Sequence, residues 1–174
     1  ARTRVKPDNV IDPSPAGTEA LPDNLIVVNP SVEYRPSDKK YLLYFKGNLY
    51  DPGWRGAHGV AIGDSPLGPF DPMDDFVFDL RTPEGKIASA EDPYVWYHPG
   101  SEYFYAVFKD FKGHFTGDHP GLALMISKDG LAWEMHPDRL FAPKEIPVEG
   151  GASIKVANLE RPQFLINHKG IPIA

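Results

Sequence analysis

The chain has no cysteine. That excludes disulfides, thiol nucleophiles and thiolate metal sites, although it does not fix the compartment. No apolar run approaches the roughly 18 residues a membrane-spanning helix needs, so no membrane partner is expected. Basic residues are in deficit, 18 Lys and Arg against 24 Asp and Glu, and the net charge of −6 argues against nucleic acid or another polyanion. Segments of twelve or more residues with helical apolar spacing and usable caps are missing as well. There is no phosphate-binding Walker loop, no Gly-rich dinucleotide fingerprint, no zinc-binding His pair and no Gly-x-Ser-x-Gly. The basic start "ARTRVK" is followed by no apolar stretch, so it does not read as a signal peptide. The missing initiator Met leads us to expect an upstream part.

What is present is aromatic and interrupted. Aromatic residues make up 12% of the 174 positions, and 19 Pro with 16 Gly punctuate short alternating runs. This is the habit of all-β folds. Two runs match closely: "NPSVEYRP" aligns with "DPYVWYHP", placing Pro30 on Pro93, Val32 on Val95 and Tyr34 on Tyr97 at an offset of 63. The match continues without a gap to Phe45–Lys46 on Phe108–Lys109. Further on, "HGVAIGDSPLGPF" is similar to "PGLALMISKDGLAWEM" at an offset of 62, with Gly59 on Gly121 and Ser65 on Ser127. A third unit opens at "ERPQFLINHKGIPIA", where Pro162 stands for Pro93. Four short strands per unit, repeated, predict β-propeller blades. The approximate units are 1–27 (end of a preceding blade or linker), 28–90, 91–158 and 159–174, in one domain. A β-sandwich with two chance-alike hairpins is the competing architecture.

These motifs carry a family likeness. The sequence resembles the five-bladed β-propeller glycoside hydrolases of families 43 and 117, related to families 32 and 68. The residues that carry it are "NPSV", "HGVAIGDSPLGPF", "AEDPYVWY", "SKDGLAWE" and "LERPQF". Five blades need roughly 300 residues, so the resemblance implies about two and a half to three blades here. It also implies a carbohydrate substrate, no cofactor, and a secreted or periplasmic location. An incomplete ring implies open blade faces, hence self-association or a partner carrying missing blades.

In a propeller the first strand of each blade lines the axis, so residues at its start converge. Glycoside hydrolysis needs two converging carboxyl groups. The sequence offers three such positions, Asn29, Asp92 and Glu160. The resemblance places Asp92 on the aspartate that orients the acid and Glu160 on the general acid, whose pKa apolar neighbours would raise. Asp92 taken alone reads as a cap or turn residue more often than as a catalyst, and Glu160–Arg161 could be a structural ion pair holding the blade. Glu91 is a second-choice site residue. His58 could meet a sugar hydroxyl or be a structural core histidine. Trp54 could stack on a sugar face or pack within its loop. Arg161 is the expected cation of the pocket, while Lys46 and Lys109 read as edge-protecting lysines. The acidic loop "DPMDDFVFD" lacks EF-hand spacing, so no metal is expected although calcium there is conceivable. Asn29 stands where the family has its base or nucleophile, and an amide cannot take a proton from water. No base is assigned, so the alternative to a hydrolase is a non-catalytic carbohydrate-binding or assembly module.

Overall fold

A computed structural model describes residues 11, 13, 21–50, 54–117 and 119–173, without the side chains of residues 49, 50, 54 and 55. Among the described residues there is no helix. The strands are β1 (Val28–Arg35), β2 (Lys40–Tyr50), β3 (Trp54–Gly63), β4 (Phe70–Pro72), β5 (Ala90–His98), β6 (Tyr103–Asp110), β7 (Gly121–Ser127) and β8 (Glu134–Pro143). A small ribbon of β9 (Glu145–Pro147) and β10 (Ser153–Lys155) follows. Two four-stranded antiparallel meanders result, ordered β1-β2-β3-β4 and β5-β6-β7-β8, and neither closes on itself. The fold is all-β and antiparallel.

The repeat is visible in the pairing. Val32 lies opposite Leu43 and Tyr34 opposite Tyr41; Val95 lies opposite Ala106 and Tyr97 opposite Phe104. Both strands of one hairpin therefore map onto the other at 63 residues. In the third strand the structure corrects the sequence alignment. Phe45 faces Gly59 whereas Phe108 faces Ala123, so Gly59 corresponds to Ala123 and not to Gly121. The error is two residues, which preserves strand alternation and hides from any pattern of period two.

A turn of the "Ser-x-x-Gly" type follows each third strand. In the second meander Gly130 N–H donates to Ser127 Oγ at 2.9 Å, and the glycine sits at φ 74°. Tyr44 from the first meander donates its hydroxyl to the Gly130 carbonyl at 2.8 Å. A Cβ at Gly130 would meet that hydroxyl at 2.7 Å, so both backbone conformation and packing require glycine there.

Alternation gives each first strand two faces with different neighbours. On β1, Asn29 and Ser31 point towards β5: Asn29 Nδ2 donates to Asp92 Oδ1, and Val95 N–H donates to Ser31 Oγ at 3.1 Å. The matching face of β5 addresses the segment after β10. Tyr94 Oη donates to the Phe164 carbonyl at 3.2 Å, and the Trp96 and Phe164 rings lie 5.3 Å apart. We call this the forward face. The opposite, backward face of β5 includes Val95 and Tyr97, which pack with Leu42, Tyr44 and Val60 between the meanders.

Residues 161–173 extend the same pattern as a hairpin, with Ile166 bridged to Pro172 and Ile173 N–H donating to the Leu165 carbonyl at 2.9 Å. Phe164 and Ile166 face back onto the second meander, joining Trp96, Leu122 and Leu124.

The linker between meanders supplies a core residue that the sequence did not reveal. Phe78 lies inside the segment read as an acidic loop, yet it is 2% exposed. Its ring contacts those of Tyr44, His58, Phe108 and Trp133 at centroid distances of 4.9 to 6.2 Å. Val77, the residue before Phe78, is 4% exposed and bridges to His58, so the end of "DPMDDFVFD" turns inward while Asp74, Asp75 and Asp79 stay exposed.

Candidate functional site

Each meander opens on an irregularity. The register slips between Val28 and Ser31 and again between Glu91 and Tyr94, where Pro30 and Pro93 have no N–H to give the ladder. The residue before each proline adopts a left-handed conformation, φ 55° at both Asn29 and Asp92. Arg161, before Pro162, does the same at φ 54°. Asn and Asp tolerate this region and arginine seldom visits it, so three repetitions before proline mark one backbone position used three times.

This corrects the expected third opening residue. Arg161, and not Glu160, occupies the position of Asn29 and Asp92. Glu160 instead matches Glu91, one residue earlier.

The three matched side chains meet. A cleft of about 340 Å³ is lined by Asn29, Pro30, Asp92, Pro93, Arg161 and Gln163. Asn29 donates its amide to Asp92, and Arg161 Nε stands 3.9 Å from Asp92 Oδ2 with its side chain 81% exposed. Asp92 is buried, and desolvation raises its pKa above the usual carboxylate value. The neighbouring Glu91 charge adds to that rise, while Arg161 opposes it. The cleft thus presents an amide, a carboxyl group that protonates more readily than most, a guanidinium and a second amide.

Glu91 and Glu160 belong to a different arrangement. Lys46 Nζ pairs with Glu91, and Lys109 Nζ pairs with Glu160 at 2.5 Å while standing 3.9 Å from Glu91. Each lysine near the end of a second strand therefore reaches the carboxylate that opens the following unit. The edge-protecting role expected for Lys46 and Lys109 is overturned, since both side chains are largely buried in these pairs. The expectation of a raised Glu160 pKa fails for the same reason. Its hydrogen bond from Lys109 lowers the pKa, and the carboxylate is 41% exposed where apolar burial was anticipated. Carboxylate oxygens of Glu91, Asp92 and Glu160 all lie within 4.8 Å of one another, but ammonium groups already match two of the three.

A test follows directly. In Lys109→Met, the Glu160 carboxyl should titrate at higher pH than in the parent protein, because its main pKa-lowering partner is gone. Carbon-detected NMR titration of the side-chain carboxyls reads this. An unchanged Glu160 midpoint would mean that the pair does not persist in solution.

His58 does not line the cleft. It lies in β3 at 2% exposure with its ring edge against Phe78, centroids 5.5 Å apart. Burial, with a smaller push from Lys46, lowers its pKa to about 3. Its Nε2 finds no hydrogen-bond partner among the described residues. The structure supports the core alternative for His58 over the sugar-binding one. The backbone of Trp54 begins β3, and its side chain lies outside the described residues. The cleft adds Gln163, two residues beyond Arg161 on the same face, which sequence reasoning missed. Its signal was available in the alternation of "ERPQF", once Arg161 is taken as the opening residue.

A second cavity, of about 430 Å³, is lined by Lys46, Asn48, Gly56, Ser89, Glu91, Phe111 and Lys112.

No protein-family model matches this chain, and no curated protein matches it. Two solved structures resemble it in fold at low identity. One comes from the GH130 family of mannoside phosphorylases, described as containing glycoside hydrolases that target β-1,2 mannosidic linkages in Candida mannan. It shares 16% identity at a TM-score of 0.49, covering 72% of this chain and 33% of that one. The other is a glycosyl hydrolase from Bacteroides ovatus, with 15% identity and TM-score 0.49 over 68% of this chain and 32% of that one. This chain spans about a third of the length of either.

Proposed function

We propose that the cleft at Asn29, Asp92 and Arg161 binds a carbohydrate, and that the two meanders are blades of a glycoside hydrolase-like β-propeller. The observation that carries this reading is the threefold use of one left-handed, proline-flanked position to deliver three polar side chains into one cleft. Such convergence is what the family likeness implies for the axis of a propeller. An amide, a carboxyl group and a guanidinium together offer the paired donors and acceptors that neighbouring sugar hydroxyls require. Asp92 is the group assigned to acid chemistry, because burial and Glu91 both favour its protonated form. Glu160, held ionised by Lys109, is assigned to holding its unit in place.

A non-catalytic binding role has a specific observation in its favour. Asp92 is the one carboxyl group lining the cleft among the described residues, and acid–base hydrolysis of a glycoside uses two. For this chain by itself, binding is therefore the function we assign, with hydrolysis requiring a further carboxylate.

Calorimetric titration with a panel of neutral oligosaccharides tests the proposal. At least one should bind, and Asp92→Asn should weaken it about tenfold or more, the cost of losing a charged hydrogen-bond partner. If no oligosaccharide binds, or if Asp92→Asn binds as the parent does with its fold intact by circular dichroism, the assignment fails.

A further inference from the structure

Beside the cleft lies the second cavity, of about 430 Å³, and the two share the opening of the second meander. Glu91 lines the cavity and Asp92, the next residue, lines the cleft, with carboxylate oxygens within 4.8 Å of each other. A ligand longer than one sugar ring can therefore enter both. The cavity's volume lies in the range of small-molecule sites.

Part of the lining is held rigid by the chain itself. Phe111 and Lys112 stand on the turn after β6, where the N–H groups of Lys112, Gly113, Phe115 and Thr116 all donate to the Asp110 carboxylate. Gly56 passes so near β5 that a Cβ would stand 2.1 Å from the Ala90 carbonyl oxygen, so the approach of two backbones requires glycine. Gly56 N–H donates to Ser89 Oγ at 3.0 Å, which leaves the Ser89 hydroxyl its own hydrogen to donate.

Phe111 is 37% exposed, with Lys109 Nζ 4.4 Å from its ring centroid. The uncovered part of that ring offers the flat apolar surface on which a sugar face packs. Charge decides what kind of sugar. Lys46 pairs with Glu91, Lys109 pairs with Glu160, and Arg161 stands near Asp92. Lys112 has no carboxylate partner among the described residues, and it stands exposed at the cavity wall. In a chain of net charge −6, this lining carries two lysines against one glutamate.

We propose that the second cavity holds an anionic sugar residue. Its ring lies on Phe111, its carboxylate or sulfate meets Lys112, and one of its hydroxyl oxygens accepts from Ser89. This rests on the reading that the neighbouring cleft binds carbohydrate. The ligand is then an acidic oligosaccharide, with a neutral residue in the cleft and the charged one in the cavity.

The test follows backbone amide shifts of the whole chain by NMR. The probes are glucuronate, galacturonate, glucose 6-sulfate, their neutral parents glucose and galactose, and acetate. At least one acidic sugar should give saturable shifts at Ser89 and Lys112. It should bind at least about tenfold tighter than its neutral parent, the margin of a charge-assisted hydrogen bond. The uronate and sulfate arms identify the anion, and acetate should bind more weakly than either. Lys112→Met should remove the margin and leave the neutral sugars unaffected, while Phe111→Ala should weaken acidic and neutral sugars alike. Equal binding of acidic and neutral sugars, of acetate and uronate, or of parent and Lys112→Met overturns the proposal. So does the absence of any shift at Ser89 and Lys112. Shifts at Asn29 and Gln163 report the cleft, so failure of the cavity is distinguished from failure of the cleft.

Discussion

Replacing Asp110 with alanine is expected to remove about 3–5 kcal/mol of stability, a large share of what a domain this size possesses. Asp110 ends β6 with no exposed surface. Its Oδ1 accepts from Lys112 N–H at 3.3 Å and Gly113 N–H at 3.0 Å. Its Oδ2 accepts from Phe115 N–H, Thr116 N–H and the Thr116 hydroxyl at 2.9, 3.0 and 3.1 Å. One carboxylate thus holds the turn that inserts Phe115, fully buried, edge-on against Phe108 at a centroid distance of 4.9 Å. Alanine leaves these donors without their acceptor. An orphaned buried donor costs roughly 1–3 kcal/mol, and water reaching the outer part of the turn will reduce the sum. Asp110→Asn should fall between, because its amide nitrogen would face N–H groups with no lone pair to offer. Urea denaturation measures the loss, and amide exchange at Phe115 and Thr116 localises it. A loss below about 1 kcal/mol would mean that the loop holds its shape without the carboxylate. The cleft at Asp92 should survive, whereas the second cavity, walled by Phe111 and Lys112, should lose that wall.

The sequence made the hairpins legible and left the ion pairs hidden, and both outcomes have physical causes. Hairpin register follows from alternation anchored by a turn, so the match of Val32 with Val95 reappears in the pairing, with Val32 opposite Leu43 and Val95 opposite Ala106. The third strands follow connections of different internal structure. There sequence similarity sets Gly59 on Gly121, although pairing matches Gly59 to Ala123. At the third opening the proline fixed the backbone position, but chemical expectation favoured the acidic Glu160 over Arg161. The left-handed φ at Arg161 reverses that choice. Lysine reads as a surface residue because it usually is one. What brings Lys46 and Lys109 inward is a carboxylate from the next unit, 45 and 51 residues away, and a local pattern does not encode it. The burial of His58 and Phe78 stays hidden for a related reason. Each is polar or acid-flanked in sequence, and their burial comes from packing against each other and the second meander.

His58 should make the protein acid-sensitive in a pH range where its carboxylates do not. Folded, the imidazole is buried beside the Lys46 charge and its pKa lies at about 3, against 6.5 for the free side chain. Between those values the unfolded chain takes up a proton that the folded chain refuses, so acidification favours unfolding. Stability from this group is complete above about pH 6.5 and falls by about 1.4 kcal/mol for each pH unit below it, until pH nears 3. Asp38, Asp129 and Glu160 also have lowered pKa values, but their contributions fade only below ordinary carboxylate values of 3.8 to 4.5. Asp92 and Glu33 are raised, so stability lost on their account grows as pH rises from those values and opposes the histidine trend. The interval from pH 6.5 down to about 5.5 is therefore where His58 stands apart most clearly. His58→Leu keeps a similar volume and removes a ring nitrogen that has no hydrogen-bond partner among the described residues, so stability at pH 7 should change little. Its urea midpoint should then decline much less than the parent's across that interval. Parallel declines in the two proteins would mean that the folded state admits a proton at His58, and with it either water or a rearranged core around Phe78.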